Sequence, residues 1–279
     1  MDLQQCTDSL LQTFCSQELR ANDVPRTLMI VAHPDDETIG AGARLPVLRE
    51  NLLLVYVTDG APHNMRDARA NGFSTRAQYA AHRRSELRQA LAVVGIEMDQ
   101  VMELGIADQQ ASQNLTSLVL DVAFLMLSYQ PQIILTHAYE GGHPDHDATA
   151  FAVHIARHML AAEEMHTGEI LEMTSYYNGG NGIAVEDFCS GSGTPSWKID
   201  LDETARERKK RMAGCFVTQR DTLQYFPFAQ EQFRHAPHYD FTQPPHEGLL
   251  FYELFNWNMK GRRWRQLAQR SLVELGIGH

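Results

Sequence analysis

The chain has 279 residues, 43% hydrophobic and 21% charged, which suits one large soluble α/β domain. A formal net charge of −11 argues against a nucleic-acid partner, because phosphate-backbone binding needs clustered basic residues. The one basic run, Arg206 to Arg211, includes Glu207 and reads as a solvated helix face.

Residues 1–24 read as an amphipathic helix without the basic and apolar regions of a signal peptide. Thr27 to Ala32 is expected to be a buried strand, and Thr38 to about Arg49 a helix that Pro46 kinks or ends early. Leu52 to Thr58 is a second buried strand ending in Asp59, and residues 60–73 read as a loop. Thr75 and Gln78 can form a capping box for a helix that stops before Gly95. Val101 to Leu104 is a short strand, Leu115 to Tyr129 a helix stopped by Pro131, and Ile133 to Thr136 a further strand. Asp147 is then expected to cap the next helix. Beyond residue 165 the pattern weakens. "EMTSYYNG" suggests one more strand, Asp202 caps a helix to about Val217, and Gly261 to Leu275 is helical. The Pro- and aromatic-rich segment 225–246 reads as ordered wrapping that covers the cleft.

The alternation of strand and helix predicts a Rossmann-like three-layer α/β fold with a mostly parallel sheet. Ligands then bind at the C-terminal strand ends. The whole of 1–279 is read as a single domain, with a core at about 26–220 and a C-terminal extension at about 221–279. Leu115 to Tyr129 is too short to span a bilayer and carries Asp121, so no membrane span is expected. Cys6, Cys15, Cys189 and Cys215 form no CxxC pair and read as free thiols, which points to the cytoplasm.

The acids and histidines at 33–37, 59, 108 and 137–147 all follow expected strands. Two clusters stand out, His33-Pro34-Asp35-Asp36 and His143-Pro144-Asp145-His146. Two histidines and one carboxylate with an open position suit catalytic Zn2+ or Fe2+, and His33, Asp36 and His146 are the expected ligands. Asp35 is then free to accept a proton from metal-activated water. His143 is placed to donate to an oxyanion, and Asp145 to favour its charged form.

"AHPDDE" after a strand, followed about a hundred residues later by "HPDH", resembles the LmbE/PIG-L family of metal-dependent deacetylases. The resemblance covers about residues 26–220. It implies removal of an acetyl group from an N-acetylglucosamine-type amino sugar or its conjugate. It also implies zinc on His33, Asp36 and His146, with Asp35 as general base, His143 as electrophilic helper and Asp145 tuning it. "HRRSELRQALAVVGI" resembles the family's substrate-contacting helix, which implies a substrate role for Arg83. "LGIADQ" resembles a loop whose acid grips sugar hydroxyls, which implies the same for Asp108. One departure is Gly141, where the family can hold a tyrosine; a flexible access loop is expected there.

Other readings are an amidase of the same family acting on thiol-sugar conjugates, a non-catalytic metal-dependent binding protein, and a magnesium phosphoryl-transfer site on Asp35 and Asp36. The last needs a lysine late in the sheet, and the chain offers only Lys198, Lys209, Lys210 and Lys260. His154 and His158 lack the glutamate of a zincin helix and read as packing or surface residues. His235, His238 and His246 are given no role. The partner expected is a small acylated amino sugar or glycoconjugate, and a homo-oligomer is compatible with the sequence.

Overall fold

A computed structural model describes residues 11–16, 24–189 and 193–277. Of the helix expected at 1–24, α1 (residues 11–15) is described, while residues 1–10, including Cys6, and 17–23 lie outside the described residues. Cys15 and Cys215 are free thiols.

Among the described residues, nine strands and the helices between them follow the chain as β1 (Thr27–Val31), α2 (Asp36–Ala41), α3 (Leu45–Leu48), β2 (Leu52–Pro62), α4 (Arg66–Ala70), α5 (Arg76–Ala92) and β3 (Val101–Asp108). Then come α6 (Leu115–Tyr129), β4 (Ile133–His137), α7 (Pro144–Ala162), β5 (Glu169–Met173), β6 (Tyr176–Asn178), β7 (Ile183–Val185) and β8 (Ser196–Asp200). The tail carries α8 (Glu203–Cys215), α9 (Arg220–Leu223), β9 (Gln230–His235) and α10 (Gly261–Glu274).

The main sheet has seven strands in the order β3-β2-β1-β4-β5-β9-β8. β1 to β5 run parallel, and β9 pairs antiparallel with both β5 and β8. Both faces are covered. Met29 and Val31 of β1 join one core with Leu87 and Leu91 of α5 and Met212 of α8. Leu28 and Ile30 join the other with Val119 of α6, Phe151 of α7 and Trp264 of α10. The twofold alternation of a strand therefore explains the continuous apolar run: each side chain has a helix to meet. This is the three-layer α/β fold expected. The order reverses between β1 and β4, which opens a crevice at their carboxyl ends.

Several local expectations are corrected. The helix placed at 38–49 is two short helices, because Pro46 at the start of α3 cannot continue the hydrogen bonding of α2. The loop placed at 60–73 holds the end of β2 and all of α4. "EMTSYYNG" divides between β5 and β6, which belong to different sheets. α7 is capped by His143, whose side chain accepts from Asp145 N–H. Asp147 instead accepts from Gly141 N–H at 3.0 Å. That bond, with Phe251 N–H donating to Gly141 O at 2.8 Å, anchors the loop expected to be flexible. Residues 230–235 lie within the sheet rather than wrapping over the cleft.

Candidate active site

β1 ends at Val31, and the chain then turns sharply so that His33, Asp35 and Asp36 enter the crevice. Asp35 has φ 124°, a conformation strained for a residue with a side chain. Its N–H donates to Glu37 Oε2 at 3.0 Å, and its carbonyl accepts from Thr38 and Ile39. The buried Glu37 thus ties down the turn that presents Asp35. From β4 the chain passes through the anchored Gly141 to Pro144, whose fixed φ suits a helix start, and His143 and His146 face the same crevice. Gly142 passes Tyr176 so closely that a Cβ would lie 2.0 Å from Tyr176 O.

The three expected ligands meet through Asp36. Its Oδ2 is 3.4 Å from His33 Nδ1, and its Oδ1 is 3.2 Å from His146 Nε2. His33, His143 and His146 each place a ring nitrogen within 4.8 Å of the others. Asp35, Arg83 and Asp108 line the same cleft of about 380 Å3. Asp145 is fully buried behind it. Its carboxylate accepts from Gln109 N–H at 2.6 Å and Ala111 N–H at 3.0 Å, and lies 3.3 Å from His33 Nε2. It is 3.9 Å from His143 Nδ1, beyond hydrogen-bond reach, and that nitrogen accepts Asp145 N–H instead. In a neutral His143 the proton therefore sits on Nε2, the nitrogen 3.7 Å from Asp108 Oδ1.

Burial sets the electrostatics, and neighbouring charges decide each outcome. Burial pushes Asp35 up, against the pull of Arg83, to about 7. Burial would also raise Asp36, but His146 and His137 hold it well below the usual carboxylate range. Burial would lower His33, but Asp108, Asp145 and Asp36 lift it well above an ordinary histidine. His143 is held well below by burial and by His33, so the charged form expected for it is disfavoured. His146 falls to about 4 through burial. Asp108 falls to about 2 because His33 and then His143 outweigh its burial.

These residues fit a transition-metal cation. His146 Nε2 and Asp108 Oδ1 are buried and make no aligned hydrogen bond among the described residues, although each faces a group of the cluster. Buried polar atoms left without a partner in this way call for one. Imidazole and carboxylate together suit zinc or iron rather than magnesium.

Sequence reasoning missed His137. It closes β4, stacks on His146 at 4.0 Å and 7°, and places Nε2 3.2 Å from Asp36 Oδ2. Its position at a strand end beside the crevice was the available signal. Thr218, Gln219, Phe255 and Trp257 also line the cleft, whereas nothing in 225–246 does. None of the four lysines considered for phosphoryl transfer lines it, and Lys209 is paired with Glu231 at 2.9 Å.

Residues 28–156 match the profile of the family described as PIG-L, GlcNAc-PI de-N-acetylase. Over 145 residues the chain is 28% identical to a 1D-myo-inositol 2-acetamido-2-deoxy-alpha-D-glucopyranoside deacetylase 2 of Catenulispora acidiphila, covering 44% of this chain and 48% of that protein. Over 140 residues it is 30% identical to a probable N-acetyl-alpha-D-glucosaminyl L-malate deacetylase 2 of Bacillus cereus, covering 49% and 63%. The match thus spans about half to two thirds of these relatives. The fold is similar to the A40926 pseudoaglycone deacetylase Dbv21, with TM-score 0.57 at 19% identity over 76% of this chain and 97% of that one. It is also similar to the N,N'-diacetylchitobiose deacetylase of Pyrococcus horikoshii, with TM-score 0.51 at 16% identity over 85% and 94%. Over residues 28–156 the chain is thus similar to the PIG-L family in profile and motifs, and its fold is that of the deacetylase structures above.

Proposed function

We propose that the chain is a metal-dependent N-deacetylase that hydrolyses the acetamide of an N-acetylglucosamine-type sugar or its conjugate, with residues 1–279 acting as one catalytic unit. The observation that carries this reading is the meeting of both histidine-acid motifs in one cleft, with the buried carboxylate of Asp35 beside the expected ligands. The names of the two relatives, both deacetylases of acetamido-glucose conjugates, support the substrate class.

His33, Asp36 and His146 are the residues that would hold the ion. Zn2+ is the ion proposed, with Fe2+ suited to the same donors; when bound it supplies Lewis-acid polarisation of the carbonyl and of water. Asp35 takes the proton of the attacking water and returns it to the departing nitrogen. His143 Nε2–H donates to the carbonyl oxygen as negative charge develops there. Arg83 steadies Asp35 from behind, and Asp108 contacts the sugar hydroxyls.

The test is metal content and acetate release from a panel of acetamido sugars, with Asp35→Asn run in parallel. The expected result is about one transition metal per chain and release that chelation abolishes. Asp35→Asn should keep the metal and lose about 100- to 10,000-fold in rate. A folded protein that binds no transition metal would overturn the ligand assignment. Metal-dependent release that survives Asp35→Asn would overturn the role of Asp35.

A further inference from the structure

Phe255 and Trp257 form a stacked pair, with ring centroids 4.6 Å apart and planes 15° from parallel. Both line the cleft, and Phe255 is 38% exposed. They belong to the tail, outside the residues matched by the family profile. The pair also closes a circuit of ring contacts around the chemistry. His146 meets Tyr176 at 5.2 Å, Tyr176 meets Phe251 at 5.5 Å, and Phe251 meets Phe255 at 5.1 Å. Trp257 then meets the His143 ring at 4.8 Å. Tyr176, Phe255 and Trp257 therefore line the cleft as parts of a connected set of rings that ends on two candidate catalytic-centre histidines.

The loop that carries the pair is held in shape. Glu253 accepts from Leu250 N–H at 3.1 Å and from Gly261 N–H at 2.9 Å, and its carbonyl accepts from Lys260 Nζ at 2.7 Å. Residues 254–260 are thus pinned at both ends by one side chain and its backbone. An aromatic pair in a pre-shaped loop, Phe255 exposed and Trp257 half-buried, offers a surface that a flat apolar partner would cover. Much of the rest of the lining is polar and includes Asn64, Asp67, Thr218 and Gln219, which suits hydroxyl groups.

We infer that Phe255 and Trp257 form a ring-stacking subsite that selects substrates whose acetamido sugar is joined to a second ring with a flat apolar face. This rests on the deacetylase reading above and narrows its substrate to a ring-bearing conjugate. The contact of Trp257 with His143 puts the subsite directly beside the group being hydrolysed, so the second ring is the one attached to the reacting sugar. Stacking of this kind is worth between about twofold and tenfold in affinity per aromatic partner.

The experiment compares methyl, cyclohexyl and phenyl N-acetylglucosaminides on the metal-loaded protein and its Trp257→Ala, Phe255→Ala and Trp257→Phe variants. The expected result is that the wild type favours both ring aglycones over methyl by about tenfold, chiefly through KM. Each alanine variant should move that ratio towards one, and Trp257→Phe should retain most of it. Calorimetric binding of the corresponding free amines reads the same preference without turnover. If no glycoside releases acetate but ring-selective binding persists and is lost in the alanine variants, the deacetylase reading fails and the subsite stands. If the wild type shows no ring preference in binding, or the preference survives both alanine variants, the subsite is overturned whatever the turnover.

Discussion

Arg83 Nη2 lies 3.4 Å from Asp35 Oδ2 and also donates to the carbonyl of Pro34, with both side chains buried. A helix arginine thus reaches across to the strained turn that presents the proposed base. Gly60 makes room for it, since a Cβ there would lie 2.7 Å from Arg83 Nε. Loss of one member of a buried ion pair costs about 3–5 kcal/mol, so Arg83→Met should lower stability by that order. Arg83→Lys keeps the charge but not the planar fork that bonds two acceptors, and should stay folded with kcat/KM reduced about tenfold or more. Denaturant titration and steady-state kinetics check both. Wild-type stability and turnover in Arg83→Met would show that the contact positions nothing.

Asp108 sits 3.2 Å from His33 Nε2 and 3.7 Å from His143 Nε2, closer to the cluster than a residue that only grips substrate would need. Outer partners of metal-binding histidines tune affinity by about 10- to 100-fold. Asp108→Asn should therefore weaken metal binding by about that factor as well as raise KM. Competition with a chelator of known affinity measures the first effect. A variant with altered KM and unchanged metal affinity would confine Asp108 to the substrate.

How far these relationships could be read in advance depends on what surrounds each residue. β1 and β4 were legible because both faces are covered, so "TLMIV" and "IILT" are unbroken apolar runs. The start of α5 was legible because Thr75 and Gln78 form a local capping box. β9 was not. Its sequence "QEQFRH" buries Glu231 and Arg234, which are satisfied by Lys209 and Glu172 from distant segments, so its polarity hides its place in the sheet. His137 was visible at a strand end but stands outside both histidine-acid motifs, so nothing local set it apart. Phe255 and Trp257 reach the cleft only through tertiary packing, which no local periodicity encodes.

Glu140 provides a pH-dependent stability outside the histidine cluster. Burial pushes its carboxyl up to about 8, against the pull of Arg234 at 3.6 Å and the Cys189 N–H at 2.7 Å. The unfolded chain loses this proton near the ordinary value of 4.5, whereas the folded chain holds it to about 8. The folded state therefore binds more protons between these values, and Glu140's contribution falls as pH rises through that window. Glu140→Gln should flatten this part of the stability–pH curve, an effect on the order of a few kcal/mol across the window. Thermal unfolding of both proteins from pH 5 to 9 tests it, and parallel curves would refute it.

Lys209 and Glu231 form an ion pair at 2.9 Å with both side chains fully buried, which joins α8 to β9. Glu231 Oε1 also accepts from Ala43 N–H at 2.7 Å, just past the helix that carries Asp36. The pair thus ties the antiparallel end of the sheet to the support of the turn proposed to hold the metal. Removing either charge alone strands the other in the core, so Lys209→Met or Glu231→Leu should each cost about 3–5 kcal/mol. The double variant should recover most of that loss, because apolar groups of similar volume replace a buried pair at little cost. The Ala43 N–H, left without its acceptor, should keep about 1–3 kcal/mol of the recovery out of reach. A double-mutant cycle by chemical denaturation measures each quantity. Strictly additive losses would mean that the two charges do not stabilise one another in the core.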